Sequence, residues 1–258
     1  DWYGYNGSYE RKYDSNGNMT YYAYYIWDDD LWAWKGDEKR EYEYDAEGTN
    51  TMTTYYSSTD SLGNWIGSSK NGYTYKDGVS HSEGYIWDTE RNDWRGDYMS
   101  EYTSSDTIYM STSYSWDEEN WCWVGSNKYE RRYYDNGSLY IRYDWDTDKN
   151  DWVYNRKELT ESENTATYSR DKFTSSVWNR EKSQWEFDER DTYEIAYRGD
   201  ENYDYELECF EVYDVLNSRW VVDYYNKYTY LYTGVNSVES IGIANLNISV
   251  SDGSIMVN

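Results

Sequence analysis

Along most of this chain apolar and polar residues alternate, and paired tryptophans interrupt the alternation at regular intervals. After Trp94 one parity holds Gly96, Tyr98, Ser100 and Tyr102, and the other holds Arg95, Asp97 and Glu101. After Trp34 the same parity holds Gly36, Tyr42 and Tyr44, against Lys35, Asp37, Lys39, Glu41 and Glu43. Incoming runs close on Tyr-x-Trp, as in Tyr25/Trp27, Tyr85/Trp87, Tyr114/Trp116 and Tyr143/Trp145. Before those motifs Met19 and Tyr21, Val79, Ile108 and Met110, or Leu139 and Ile141 keep the phase. A period of two belongs to a strand with two unlike faces. The 3.6-residue period of a helix is absent. The pattern predicts strands of about ten residues, about 33 Å long, with one aromatic and one solvated face.

The Trp pairs are Trp27/Trp34, Trp87/Trp94, Trp116/Trp123, Trp145/Trp152 and Trp178/Trp185, with Tyr213/Trp220 as a degenerate copy. Their second members recur at 34, 65, 94, 123, 152, 185 and 220, so the chain is a tandem repeat of 29 to 35 residues. Two kinds of turn separate the strands. One is rich in Asp, Asn and Gly (Asp14–Asn18, Asp45–Gly48, Lys76–Gly78, Asp135–Gly137), as positive backbone φ requires. The other is the polar linker inside each Trp pair, such as Asp88–Asp93.

These elements predict an all-β fold. It is a tandem antiparallel hairpin meander of about 15 strands, forming one strongly twisted or coiled sheet around an aromatic Tyr/Trp inner face. A β-sandwich is the alternative, because large sheets rarely stay flat and bare. Residues 1–239 form the repeat domain, with about seven repeats. Residues 240–258 carry an aliphatic hairpin, with Leu246, Ile248 and Val250 before Asp252-Gly253 and Ile255 and Val257 after it, read as the start of a separate or truncated module.

A Trp-x-Gly recurs at Trp2/Gly4, Trp34/Gly36, Trp65/Gly67, Trp94/Gly96 and Trp123/Gly125. Glycine inside a strand marks close approach by another group. The reading is a ladder of indoles, each lying over a neighbour's glycine; the alternative is a cleft left open for a ligand.

Composition then sharpens the picture. Ile, Leu, Val and Phe total only 33 of 258 residues and the net charge is −26, values typical of disorder. The 15 Trp and 36 Tyr supply the apolar surface instead, and the absence of proline suits long uninterrupted strands. That charge argues against nucleic acid and anionic membrane surfaces as partners, since both want Lys/Arg patches. No transmembrane stretch or signal peptide is present. Cys122 lies in a linker and Cys209 in mid-strand, which argues against a disulfide between them.

Runs such as Tyr13–Asn18, Tyr44–Gly48 and Tyr134–Leu139 resemble the YD repeats of Rhs-type proteins, which are secreted or surface proteins built from spiralling hairpin strips. The longer period and the Trp-flanked turn depart from that pattern, so the resemblance covers turn chemistry and not an enclosing shell. The tail resembles the start of the C-terminal sorting domain of type IX-secreted surface proteins. Both resemblances imply an extracellular or cell-surface location.

Candidate chemistry is sparse. The single histidine, His81, sits beside Val79 and Tyr85 on the apolar parity and reads as a packed or edge residue. No phosphate loop or zinc spacing occurs. The carboxylates fall on the solvated parity or in turns, so an acid/base pair with separated pKa values is not expected. The protein is expected to be noncatalytic. Asp146, Asp148 and Asp151 approximate the opening of a calcium loop but lack its glycine and distal glutamate; a solvated turn is the simpler reading, and no cofactor other than calcium is considered. Trp27, Trp87, Trp116 and Trp145 are the candidate ligand platforms. The expected function is surface adhesion or binding of a glycan or protein; the alternative is a spacer or stalk with internally buried aromatics.

Overall fold

A computed structural model describes residues 7–198, 202–230, 248–251 and 254–257. Fifteen strands form one antiparallel sheet: β1 (Gly7–Tyr13), β2 (Met19–Asp28), β3 (Ala33–Tyr44), β4 (Asn50–Thr59), β5 (Trp65–Lys76), β6 (Val79–Asp88), β7 (Asp93–Ser104), β8 (Ile108–Asp117), β9 (Cys122–Tyr134), β10 (Gly137–Asp146), β11 (Asp151–Asn164), β12 (Tyr168–Asn179), β13 (Gln184–Arg198), β14 (Asn202–Asp214) and β15 (Arg219–Thr229). Their order in the sheet is their order in the chain, so the predicted meander is what forms, and the sandwich is not. A second sheet pairs β16 (Ile248–Ser251) with β17 (Ser254–Val257), with Val250 opposite Ile255 as the tail's alternation requires. The 239/240 boundary and the Asp252-Gly253 turn lie outside the described residues, as do Trp2 and Gly4.

The chain divides into two compact units. Of the described residues, one comprises 7–104, 110–128 and 145–152; the other comprises 105–109, 129–144 and those from 153 onward.

The Trp-pair turns share one construction. Asp28 pairs with Ala33, Asp88 with Asp93, Asn179 with Gln184 and Asp214 with Arg219, leaving four-residue loops. The last loop residue is left-handed each time: Trp32 (φ 49°), Asn92 (55°), Ser183 (52°) and Ser218 (51°). The residue that follows the pair's first aromatic caps the loop from its side chain. Asp88 Oδ1 accepts from the backbone N–H groups of Glu90 and Arg91, and Asp117 Oδ1 from those of Glu119 and Asn120. In the other turn class Asp14 and Asp45 do the same while Gly17 and Gly48 take positive φ, and the loop before Trp65 copies that construction through Asp60 and Gly63.

Two expectations about the faces are corrected. A β-bulge recurs three residues after the second aromatic of a pair. Asp37 is the extra residue between Gly36 (opposite Tyr25) and Glu38 (opposite Tyr24), and Ser68, Asp97 and Asp223 repeat the arrangement. One inserted residue exchanges the faces of everything beyond it. Lys39 pairs with Ala23 and Glu41 with Tyr21, so both join the Trp face, while Tyr98 and Tyr102 lie opposite Gly84 and Ser80 on the reverse face. The chain therefore has aromatic residues on both faces, with charge interleaved.

The second correction concerns enclosure. Among the described residues Ala23 is the one buried hydrophobic side chain, and no Trp or Tyr ring is buried. Consecutive pairing spends the strands in a single layer, so the rings cover one another instead of being covered by a second sheet.

Candidate functional site

The site is the aromatic ladder on the Trp face. Trp27 stands directly across from Trp34, Trp87 from Trp94 and Trp178 from Trp185. These pairs meet edge to face, with centroids 5.4, 4.9 and 5.2 Å apart; Trp116/Trp123 and Trp145/Trp152 follow at 5.1 and 5.2 Å. This is the arrangement the ring quadrupole favours.

Neighbouring rungs are locked together by the glycines, as the Trp-x-Gly motif led one to expect. A Cβ on Gly67 would lie 2.5 Å from Cε3 of Trp87, and one on Gly36 would lie 2.5 Å from Cη2 of Trp65. On Gly96 and Gly125 it would meet Trp123 and Trp152 at 2.6 Å. The Tyr of each Tyr-x-Trp then reaches the second Trp of the following repeat: Tyr25 to Trp65 at 5.8 Å, Tyr56 to Trp94 at 6.2 Å, Tyr85 to Trp123 at 5.9 Å and Tyr114 to Trp152 at 6.1 Å. In the second unit an aromatic residue takes the glycine's place. Tyr154 packs on Trp178 and Trp185 at 5.1 and 5.3 Å, and Phe187 on Tyr213 and Trp220 at 5.3 and 5.4 Å.

The bulge adds a component that alternation alone could not reveal. The residue five positions after the second Trp is a cation lying over the next repeat's indole: Lys70 over Trp94 at 4.5 Å, Lys128 over Trp152 at 5.8 Å, Lys157 over Trp185 at 5.0 Å and Arg190 over Trp220 at 4.5 Å. Lys39 lies over Tyr56 at 3.5 Å and Trp65 at 5.9 Å, while Met99 occupies this position in the third copy. The spacing Trp-x-Gly-x-x-Lys, at Trp34/Gly36/Lys39, Trp65/Gly67/Lys70 and Trp123/Gly125/Lys128, was a legible signal for it.

Tyrosine hydroxyls on this face are occupied by carboxylates. Tyr56 donates to Glu41 (2.7 Å), Tyr85 to Glu83 (2.6 Å) and Tyr143 to Glu130 (3.2 Å). Burial, reinforced by these carboxylates, raises the three phenols above the ordinary tyrosine range. Burial also acts to raise Glu41, but the Tyr56 hydroxyl and the Lys39 ammonium outweigh it and hold that carboxyl below its usual value. Glutamates expected on a solvated face are thus part of the ladder. His81 lies there too, 3.5 Å from Glu101 and 3.9 Å from Glu83.

Of the sequence candidates, Trp27, Trp87, Trp116 and Trp145 are the inner rings of the rungs, half-buried against their partners. The Nε1 atoms of Trp116, Trp145 and Trp152 are buried with no hydrogen-bond partner. The more exposed rings were not among the candidates: Trp34 is 50% exposed and Trp32, at a loop tip, 81%. Asp146 accepts from the backbone N–H of Lys149 and binds its Nζ at 2.9 Å, Asp151 accepts from the N–H of Trp152, and Asp148 is exposed. Among the described residues no group of three or more His, Cys, Asp and Glu side chains is placed to hold a metal ion. Cys122 is exposed and Cys209 half-buried, and both are free thiols. No helix among the described residues is long and apolar enough to cross a membrane.

No protein-family model matches the chain, and no curated protein does. Two solved structures resemble it in part. One is a DUF3836 family protein from Bacteroides vulgatus ATCC 8482, 19% identical, covering 36% of this chain and 91% of that one at a TM-score of 0.29. The other is a protein of unknown function from Bacteroides fragilis NCTC 9343, 13% identical, covering 60% of this chain and 90% of that one at 0.28. Likeness at that level carries no argument about activity.

Proposed function

We propose that the protein is a noncatalytic extracellular repeat protein that works in surface adhesion, holding a glycan or a protein partner against its aromatic ladder. The observation that supports this most directly is ring accessibility. Aromatic side chains used for stability alone are normally removed from water, whereas these form a strip in which no ring is buried. A strip of half-exposed rings with charged side chains interleaved among them is surface a partner can cover. The net charge of −26 fits a partner other than nucleic acid. The likeness of the turns to YD repeats, and of the tail to a type IX sorting domain, supports the cell surface as the location.

A spacer or stalk is the second reading. What favours it is that rings, glycines and cations of adjacent repeats complete one another, so the array is self-supporting and extendable.

Probing a glycan array and a panel of immobilised extracellular proteins with wild-type protein and with Trp34→Ala distinguishes the two. Adhesion predicts a partner whose binding changes tryptophan emission and weakens in the variant while the fold is retained. Absence of any partner in both formats would favour the spacer.

A further inference from the structure

We propose that the protein carries a second binding site on the face opposite the ladder, a short trough along β6 that takes a neutral oligosaccharide. It shares no residue with the ladder and stands apart from the reading above. The register builds it. Ser80 and Ser82 form the floor on β6, with Tyr75 and Tyr73 opposite them on β5 and Tyr102 and Ser100 opposite them on β7. Two residues further along, a Cβ on Gly84 would fall on the Tyr98 ring, and the Tyr98 hydroxyl lies 3.4 Å from Oδ1 of Asn71 on β5. That ring therefore spans β6 and closes one end of the trough.

The rings here are open where those of the ladder are covered. Tyr73, Tyr75 and Tyr98 are 52, 68 and 42% exposed. Among the described residues no cation lies over them and no carboxylate takes their hydroxyls, unlike Trp94 beneath Lys70 or Tyr85 on Glu83. The Tyr73 hydroxyl reaches Ser80 Oγ only at 3.4 Å, and Ser82 and Ser100 share a single bond of 2.9 Å. Each of these groups keeps a donor or an acceptor for an incoming hydroxyl. A sugar ring offers both halves of the match, C–H faces for the phenol rings and hydroxyls for the serines.

Charge and size select the occupant. No residue paired on this face between Asn71 and Tyr75, or opposite them on β6 and β7, is charged, in a chain whose net charge is −26. An acidic sugar meets a repulsive field with no cation to receive it, and a basic ligand finds no carboxylate in the trough. The trough covers two strand spacings by four residue steps, about 10 by 14 Å, or roughly 140 Å². A protein partner needs about 800 Å² on each side. A surface of that size serves a small ligand.

Screening an array of neutral and uronic-acid oligosaccharides of equal length, then titrating the strongest neutral binder by calorimetry, tests the site. Tyr75→Ala should weaken that binder by up to about tenfold, the loss of one stacking ring, and Tyr75→Phe should keep most of the affinity. Trp34→Ala should leave it unchanged, and the acidic oligosaccharides should bind far more weakly. Binding of no neutral oligosaccharide would overturn the site, while a protein partner sensitive to Trp34→Ala would leave the ladder reading standing. A neutral binder lost in Trp34→Ala and indifferent to Tyr75→Ala would also overturn it, because the glycan would then lie on the ladder. Equal binding of acidic and neutral chains, or capture of an immobilised protein that Tyr75→Ala abolishes, would overturn the choice of occupant.

Discussion

The indole of Trp87 occupies the space that a side chain at position 67 would need: a Cβ there would lie 2.5 Å from Trp87 Cε3, so only glycine fits. Gly67→Ala must push an aromatic ring already locked edge to face against Trp94. We expect a loss of about 1–3 kcal/mol in urea unfolding, the usual cost of overpacking. An unchanged midpoint would mean that the rungs are not held together through their glycines.

Trp32 makes the opposite case. It holds a left-handed backbone (φ 49°), as Trp121 does in the equivalent loop where others use Asn92, Asn150, Ser183 and Ser218, and its ring is 81% exposed. A bulky residue in that region costs roughly 1–2 kcal/mol, and glycine relieves it at some entropic expense. Trp32→Gly should raise stability by about 0.5–1 kcal/mol. A fall in the urea midpoint would show that the exposed ring has stabilising contacts.

The cation row should be measurable one member at a time. Lys70→Gln keeps length and polarity but removes the charge above Trp94, and about 0.5–1 kcal/mol should be lost. The same change in the background of Trp94→Leu should cost nothing further, and a double-mutant cycle gives the coupling. Additive losses would mean that the Lys70 ammonium and the Trp94 ring do not interact.

Alkaline titration offers a test of the partly desolvated phenols. Burial, with nearby carboxylates, raises Tyr21, Tyr56 and Tyr143, and Tyr224 is pushed up to about 12. A folded pKa above the unfolded value contributes stability that is complete below the unfolded pKa, near 10, and is lost as pH rises through the folded one. Stability should therefore hold to about pH 10 and then fall. Tyrosinate absorbance should appear partly in the ordinary range and partly together with the loss of circular dichroism. Complete ionisation at about pH 10 with the fold intact would contradict the partial desolvation of these hydroxyls.

Much of this was legible in the chain. Trp27/Trp34 and Trp87/Trp94 fall opposite each other because seven residues allow a capped four-residue loop with one pair beyond it, and Trp-x-Gly marked where rings overlap. The faces beyond Gly36, Gly67 and Gly96 were not legible. Asp37, Ser68 and Asp97 look like ordinary solvent-facing strand residues, yet each is the extra residue of a bulge and exchanges the faces after it. Lys39, Lys70 and Glu41 consequently join the tryptophans, and Tyr98 and Tyr102 leave them. Enclosure also failed as an expectation, because period-two alternation states that a face is aromatic and not that anything covers it.

Acrylamide quenching of tryptophan emission in the folded protein reads directly whether the Trp ladder is accessible surface or an enclosed core. For an accessible ladder most of the emission is quenched, with constants between those of a buried indole and a free one. Quenching confined to a small fraction of the emission, as exposure of Trp32 and Trp34 alone would produce, would contradict it.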